Sequence, residues 1–308
     1  MTMCATTLLA IATLATLSLI PSAIAHGGVL SYNIDGEIYN GWAPYNSPDG
    51  QSTIQRPNPI LDATDPTLAC NDDGTSPTGQ LTANSVLAGS KITAYWNNPW
   101  PHPYGPMLVY LAQCPGSTCT GVNANDLSWF KIDESGLISG TIGDGYWGSG
   151  KMIDQNSTWT TTIPSSVPSG NYLIRFETIA LHSLPAQFYP ECAQIQITGG
   201  GSLAPSSAEL VKFPGAYSNT DPGLTVDLYT NEAQTETTYV IPGPPLYGSG
   251  DSSGSSGSSP ASTPSSTVAT ISSTEPASTP TGGSSSSGAA AAQWAQCGGI
   301  GWTGATTW

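Results

Sequence analysis

Positive charge is what this 308-residue chain has least of. Six residues are Lys or Arg against 21 Asp or Glu, for a net charge of −15. A surface that binds phosphate backbones needs clustered cations. The chain has none, so nucleic acid and anionic membranes are excluded as partners, and a neutral ligand such as a polysaccharide is compatible. The acidity also suits solubility in an acidic exterior. Beyond the N-terminus no apolar run approaches the length of a membrane span. No long segment keeps a helical period of apolar residues either, which argues against an α-helical architecture. Histidine is scarce, with three in the whole chain: His26, His102 and His182.

What is present at the start is an uncharged apolar run from Ala5 to Ile20, broken by Pro21 and followed by Ala23-Ile24-Ala25. This reads as a secretory signal over residues 1–25 with a small-x-small cleavage site, although its first residues, MTMC, lack Lys and Arg. The mature protein is expected to be soluble, secreted and extracellular. From Gly248 to Ala292 the composition collapses to Ser, Thr, Gly, Pro and Ala ("GSGDSSGSSGSSPASTPSST…"). Such a segment cannot bury a core and reads as a disordered, O-glycosylated linker spanning roughly 35–40 Å as a random coil. A fragment follows at residues 293–308.

Residues 26–247 form the remaining domain. Short β-rich runs recur in it ("KITAYW", "PMLVYLA", "STWTTTI", "NYLIRFETIAL", "AQIQIT"), punctuated by turns such as Pro168-Ser169-Gly170. This pattern predicts an all-β fold: a two-sheet antiparallel sandwich of immunoglobulin or fibronectin-III type with long loops. The loops from Pro44 to Asn84 and from Gly199 to Thr225 are too long to be plain connectors and are candidates to carry function.

Four cysteines lie in this domain: Cys70, Cys114, Cys119 and Cys192. In an exported protein they suggest two disulfides, with three possible pairings. Cys114-Pro-Gly-Ser-Thr-Cys119 looks like a locally closed turn, which leaves Cys70 with Cys192. A loop that long is worth roughly 4–5 kcal/mol in the chain-entropy model. Cys4 leaves with the signal, and Cys297 is the odd one out.

Cleavage after Ala25 makes His26 the first residue. Its α-amine, with a reference pKa of about 8, and its imidazole then form one compact chelating unit. A second imidazole would complete a set of three nitrogens, which suits Cu(II) better than tetrahedral Zn(II). His102 is the natural partner, in the Pro-rich stretch "NNPWPHPYGP" before a strand. His182 stands at the end of another strand, shortly before "QFYPEC". If that segment is extended, Gln187 and Tyr189 share one face and Phe188 and Cys192 the other. Pro190 confines the strand to an edge or a bulge.

Taken together, His26-Gly27, "HPYGPMLVYLAQC", "ALHS…AQFYPECAQI" and "KFPGAYSNTDPGL…YVIPGPPLY" resemble the fungal lytic polysaccharide monooxygenases of auxiliary activity family 9. The resemblance covers residues 26–247. It implies a copper ion held by His26, through α-amine and ring, and by the ring of His102, with Tyr189 as axial ligand. It implies His182 and Gln187 as catalytic hydrogen-bonding groups behind the metal, and it favours the Cys70–Cys192 and Cys114–Cys119 pairings. In the family a longer insert usually separates the histidine from the glutamine; here only Ser183-Leu184-Pro185-Ala186 intervene. The implied reaction is oxidative cleavage of β-1,4 bonds in cellulose or a related β-glucan at C1 and/or C4. It uses dioxygen or hydrogen peroxide and an electron donor such as cellobiose dehydrogenase or small phenols. The implied state is a monomer.

A flat face that meets cellulose needs exposed aromatic rings. Tyr217, in the loop "FPGAYSNTDPG", is the candidate for substrate binding, while Trp42, Trp96, Trp100, Trp129, Trp147 and Trp159 are expected in the core. Asn156-Ser157-Thr158 is an N-glycosylation sequon. The terminal "QWAQCGGIGWTGATTW" resembles the first half of a fungal family 1 cellulose-binding module, Trp294 matching the first of its three binding aromatics. With one cysteine it cannot staple that core, and it reads as a truncated module. The rival readings are a glycoside hydrolase, which needs two paired carboxylates from among Asp144, Asp154, Glu177 and Glu191, a non-catalytic cellulose-binding protein, and a three-histidine zinc site.

Overall fold

The structure is a computed structural model. It describes residues 27–41, 59–71 and 83–249. The signal segment, His26, Trp42, Cys297, nearly all of the linker and the 293–308 fragment lie outside the described residues.

Alternation builds the first layer. In β1 (Val29–Ile34) and β4 (Lys91–Trp96) buried residues alternate with exposed or half-exposed ones. The same holds for β9 (Thr158–Thr162). Each strand presents one apolar face to the core, as period-two patterning requires. With the hairpin strand β2 (Glu37–Asn40) they form a sheet in the order β2-β1-β4-β9.

The second layer is different in kind. Its central strands β5 (Met107–Gln113) and β10 (Gly170–Ala180) are buried on both faces, and β11 (Gln187–Thr198) nearly so. With β3 (Ala83–Leu87) and β6 (Trp129–Ser135) they run in the order β3-β11-β10-β5-β6. One core lies between the sheets, where Tyr32, Ile92 and Trp96 meet Val109, Phe176 and Ile195. A second fills the outer face of the five-stranded sheet, where Leu68, Phe213 and Tyr217 from the long loops and Leu228 just after them pack with Tyr110, Leu173 and Phe188. Residues 59–71 and 199–225, the described parts of the two long loops that sequence analysis set apart as functional, therefore pack on this sheet. A small pair, β7 (Leu137–Ser139) with β8 (Tyr146–Trp147), leads into the one α-helix of the described residues, α1 (Gly148–Asp154).

The all-β sandwich with long loops is borne out. One pairing departs from pure antiparallel order: β3 runs parallel to β11. It touches only Ile195–Thr198 of that strand, so the segment holding Pro190 has β10 on one side and no continuous ladder on the other. That is the edge setting a proline tolerates. Both disulfides form as expected, Cys70–Cys192 and Cys114–Cys119, with Cα separations of 5.2 and 5.4 Å. Trp96, Trp100, Trp129, Trp147 and Trp159 are all buried. No helix of the described residues is long and apolar enough to cross a membrane.

Candidate metal centre

Three parts of the chain meet at one end of the sandwich. His102 sits in the loop between β4 and β5, His182 follows β10, and Gln187 and Tyr189 open β11. The β10–β11 register pairs Ala180 with Gln187 and Thr178 with Tyr189, which brings the His182 turn back over the start of β11. Tyr189 and Phe188 lie on opposite faces, as alternation predicts, Tyr189 in the core between the sheets and Phe188 in the outer one.

The Tyr189 hydroxyl lies 3.1 Å from Nε2 of His102 and donates to Oε1 of Gln187 at 2.9 Å. The Gln187 amide donates in turn to the Ser183 hydroxyl at 3.2 Å. The His182 ring stacks on the His102 ring, with centroids 4.4 Å apart and planes within 5°. Trp100 meets His102 and Tyr189 edge-on, at 5.4 and 5.0 Å. These orthogonal contacts fix both ring planes. The Trp100 loop is itself tied down: its backbone N–H donates to the buried Ser157 hydroxyl at 2.9 Å, and Trp96 N–H donates to the Ser157 carbonyl. Ser157 and Asn156 both take left-handed φ angles, 57° and 60°, in the tight turn after α1.

His26 itself lies outside the described residues, but the backbone directly after it is fastened to the same loop. Gly28 N–H donates to Oδ1 of Asn97 at 3.1 Å, and Asn97 N–H donates to the Gly28 carbonyl. A Cβ on Gly27 would overlap the Asn97 side chain, and one on Gly28 would overlap Oε1 of Glu191. Only glycine allows this approach. Asn97 was not legible as a site residue, and Glu191 was legible only as a carboxylate of the rival hydrolase reading. Glu191 is 1 % exposed, and burial pushes its carboxyl well above the usual carboxylate range.

Among the described residues no three His, Cys, Asp or Glu side chains cluster as a metal cage. What converges is one imidazole nitrogen and one phenol oxygen beside the chain segment that begins at His26. That donor pair fits a borderline transition metal, and a further chelating residue must complete it.

Tyr217 requires correction. It is 4 % exposed and donates to Oε2 of Glu177 at 2.6 Å, and its hydroxyl shares a hydrogen bond with Tyr110 at 2.9 Å. Burial, then the Glu177 carboxylate, hold its phenol far above the usual range. It stacks on Phe188 beneath the surface and cannot lie against a sugar. The exposed aromatic of this region is Tyr229, 75 % exposed, whose hydroxyl donates to the His182 carbonyl at 3.0 Å. Its signal was its setting in "VDLYTNE", where Val226 and Leu228 alternate toward the core and leave Tyr229 out of step with them. Asn156, the sequon residue, is exposed.

A hydrolase pair of carboxylates is not found among the four candidates. Glu177 is held in a bidentate ion pair by Arg175 on the outer face of the five-stranded sheet, and Glu191 is buried on the opposite face beside Gly28. Asp144 and Asp154 are exposed, and Asp154 accepts from the Tyr146 hydroxyl.

The fold and site define an all-β sandwich with a histidine, a core tyrosine and a stacked second histidine at one end, and comparison with known proteins says which family shares this chain's sequence and fold. The family model "Auxiliary Activity family 9 (formerly GH61)" matches residues 26–239, and the model "Fungal cellulose binding domain" matches residues 293–307. The chain belongs to auxiliary activity family 9. It is 63 % identical over 286 residues to an "AA9 family lytic polysaccharide monooxygenase-like protein CEL1" of Agaricus bisporus, covering 92 % of this chain and 85 % of that protein. It is 51 % identical to AA9 family lytic polysaccharide monooxygenase B of Heterobasidion irregulare, covering 76 % of this chain and 97 % of that one. Among solved structures it resembles HiLPMO9B, with 50 % identity, a TM-score of 0.66 and coverage of 72 % and 99 %. It also resembles a cellulose-active polysaccharide monooxygenase of M. thermophila, with 38 % identity, a TM-score of 0.61 and coverage of 72 % and 99 %.

Proposed function

We propose that this lytic polysaccharide monooxygenase is a secreted, monomeric, copper-dependent enzyme. It cleaves β-1,4 bonds of cellulose at C1 and/or C4, with dioxygen or hydrogen peroxide and an external electron donor. The observation that carries the reading is the convergence of His102 Nε2 and the Tyr189 hydroxyl beside the backbone that follows His26. After removal of residues 1–25, His26 would help hold the copper through its α-amine and ring, together with His102 through Nε2 and Tyr189 through its hydroxyl. Copper bound there would supply one-electron redox chemistry and oxygen activation for oxidising a C–H bond of the sugar.

The chain's own residues do the rest. Trp100 holds the planes of His102 and Tyr189, and Asn97 holds Gly28, so the ligands are set before a metal arrives. Gln187 takes the Tyr189 proton in a hydrogen bond, which orients the phenol oxygen. His182, half-buried and stacked on His102, is placed to hold or move a proton beside the metal. Tyr229 offers the exposed ring on which a glucan can rest, and its bond to the His182 carbonyl ties that ring to the site. The cellulose-active relative and the cellulose-binding match at residues 293–307 support cellulose as the substrate. Mass spectrometry of soluble products from cellulose tests the reading. Oxidised oligosaccharides should appear with copper and ascorbate and be absent without reductant. Unoxidised oligosaccharides formed at equal rate without reductant would overturn it.

A further inference from the structure

We propose that Glu191 is a positioning residue for the candidate metal centre, its carboxyl serving with Asn97 to clamp the backbone that follows His26. Glu191 is 1 % exposed. It stands on β11 midway between Tyr189 and Ala193, both in the core between the sheets, and alternation gives it the same face. Neither Oε1 nor Oε2 has a hydrogen-bond partner among the described residues. A buried polar group left unpaired destabilises a fold, and a methionine of equal length would fill the space without that cost. A group kept against the stability of its own core points to a task.

The task is set by what the carboxyl touches. Gly28 lies so close that a Cβ there would fall 2.0 Å from Oε1 and 2.7 Å from Cδ of Glu191. Gly27 lies as close to Asn97, where a Cβ would fall 1.9 Å from Oδ1. The same Oδ1 accepts from the Gly28 N–H. Two successive glycines are therefore each pressed by a side-chain oxygen, one from the residue after β4 and one from β11. An oxygen is thinner than a methyl group or a thioether sulfur, and it attracts the Cα–H hydrogens that glycine presents. A bulkier tip would push the backbone away.

Strand β11 connects this clamp to the metal centre. Glu191 stands two residues beyond Tyr189, so the phenol and the carboxyl ride on one stretch of backbone. The ladder to β10 holds that stretch, with Thr178 opposite Tyr189 and Phe176 opposite Glu191. Asn97 belongs to the loop that carries His102. The backbone after His26 is thus fixed against both segments that supply the His102 and Tyr189 side chains. Loss of the Glu191 oxygen frees Gly28 to shift, and His26 with it.

Glu191→Met and Glu191→Gln separate this role from plain core filling. The first keeps the length and loses the thin oxygen; the second keeps an oxygen of the same reach. In the metal-free protein, hydrogen exchange at the Gly28 amide, read by nuclear magnetic resonance, should be about tenfold faster in Glu191→Met. Its unfolding midpoint should match or exceed that of the wild type, because an unpaired carboxyl has gone. Calorimetric titration should show copper bound about tenfold more weakly, as when a group behind a metal ligand is lost, with a changed electron paramagnetic resonance spectrum. Glu191→Gln should stay within about twofold of the wild type in exchange and in copper affinity. Wild-type exchange and copper affinity in Glu191→Met would reduce the residue to a filler and overturn the proposal. A Glu191→Gln protein that behaves like Glu191→Met would overturn it too. The copper measurements rest on the reading of His26, His102 and Tyr189 as copper ligands. A wild type that binds no copper would sink that reading, and the exchange rates would still decide this one.

Discussion

Strands β10 and β11 carry a buried polar cluster on each face, and the two clusters follow opposite rules. On the outer face Arg175 donates twice to Glu177, at 2.6 and 2.7 Å, and to the carbonyls of Ala69 and Leu68. Phe213 lies 4.0 Å beneath its guanidinium, and Tyr217 caps Glu177. Both charges are fully buried and saturated with partners, as burial demands. On the inner face His102, Tyr189, Gln187 and His182 are held by edge-on and stacked rings, and the cluster runs out to half-exposed residues at the surface. A saturated cluster holds long loops down. A cluster oriented by packing and ending at the surface can receive a ligand.

The sharpest break between the two comes from one residue in each. Arg175→Met should leave Glu177 buried and uncompensated and cost about 3–5 kcal/mol, lowering the unfolding midpoint by roughly 6–20 °C for a domain of this size. His102→Ala should abolish copper binding, read by electron paramagnetic resonance, and oxidised products, while costing no more than about 2 kcal/mol. An unchanged midpoint in the first, or copper retained in the second, would dissolve the contrast. Next comes the bridge under the outer cluster. Replacing Cys70 and Cys192 together by Ser should cost about 2–5 kcal/mol in chemical denaturation, with copper binding intact.

The two tyrosines of the same long segment sharpen the comparison further. Tyr217→Phe removes one donor from Glu177 and should cost about 1–2 kcal/mol with no change in cellulose binding. Tyr229→Ala should shift stability by less than about 0.5 kcal/mol yet weaken cellulose pull-down by about fivefold or more. If the effects are reversed, the assignment of faces is wrong. The smallest effect is expected at Ser157→Gly. It keeps the left-handed turn and removes only the hydroxyl that holds Trp100, for about 1 kcal/mol. A perturbed copper spectrum in that variant would show that the loop tie reaches the metal ligands.

Much of the inner cluster was legible because its information is local. The spacing in "QFYPEC" fixes which side chains share a face of an extended strand, and a proline-rich stretch marks a rigid loop around His102. The outer cluster was illegible for the converse reason. Arg175 finds Leu68 across 107 residues of sequence, and Tyr217 reaches Glu177 across 40. No short window reveals such pairings, so Tyr217 looked like a surface ring and Glu177 like a free carboxylate.

By itself the sequence determined the all-β class, the two disulfides, the poverty in cations that points to a neutral ligand, and the residues His102, His182, Gln187 and Tyr189. The class and the charge follow from alternation and composition, the disulfides from the short Cys114–Cys119 spacing, and the grouping of those four residues from the resemblance to the family. Only the tertiary structure decided that Tyr229 and not Tyr217 faces outward, that Asn97 clasps Gly28, that β3 runs parallel to β11, and that Glu191 abuts Gly28. These are matters of which distant segments pack together, and burial of a side chain is a property of the assembled sheets and loops, not of its neighbours in the chain.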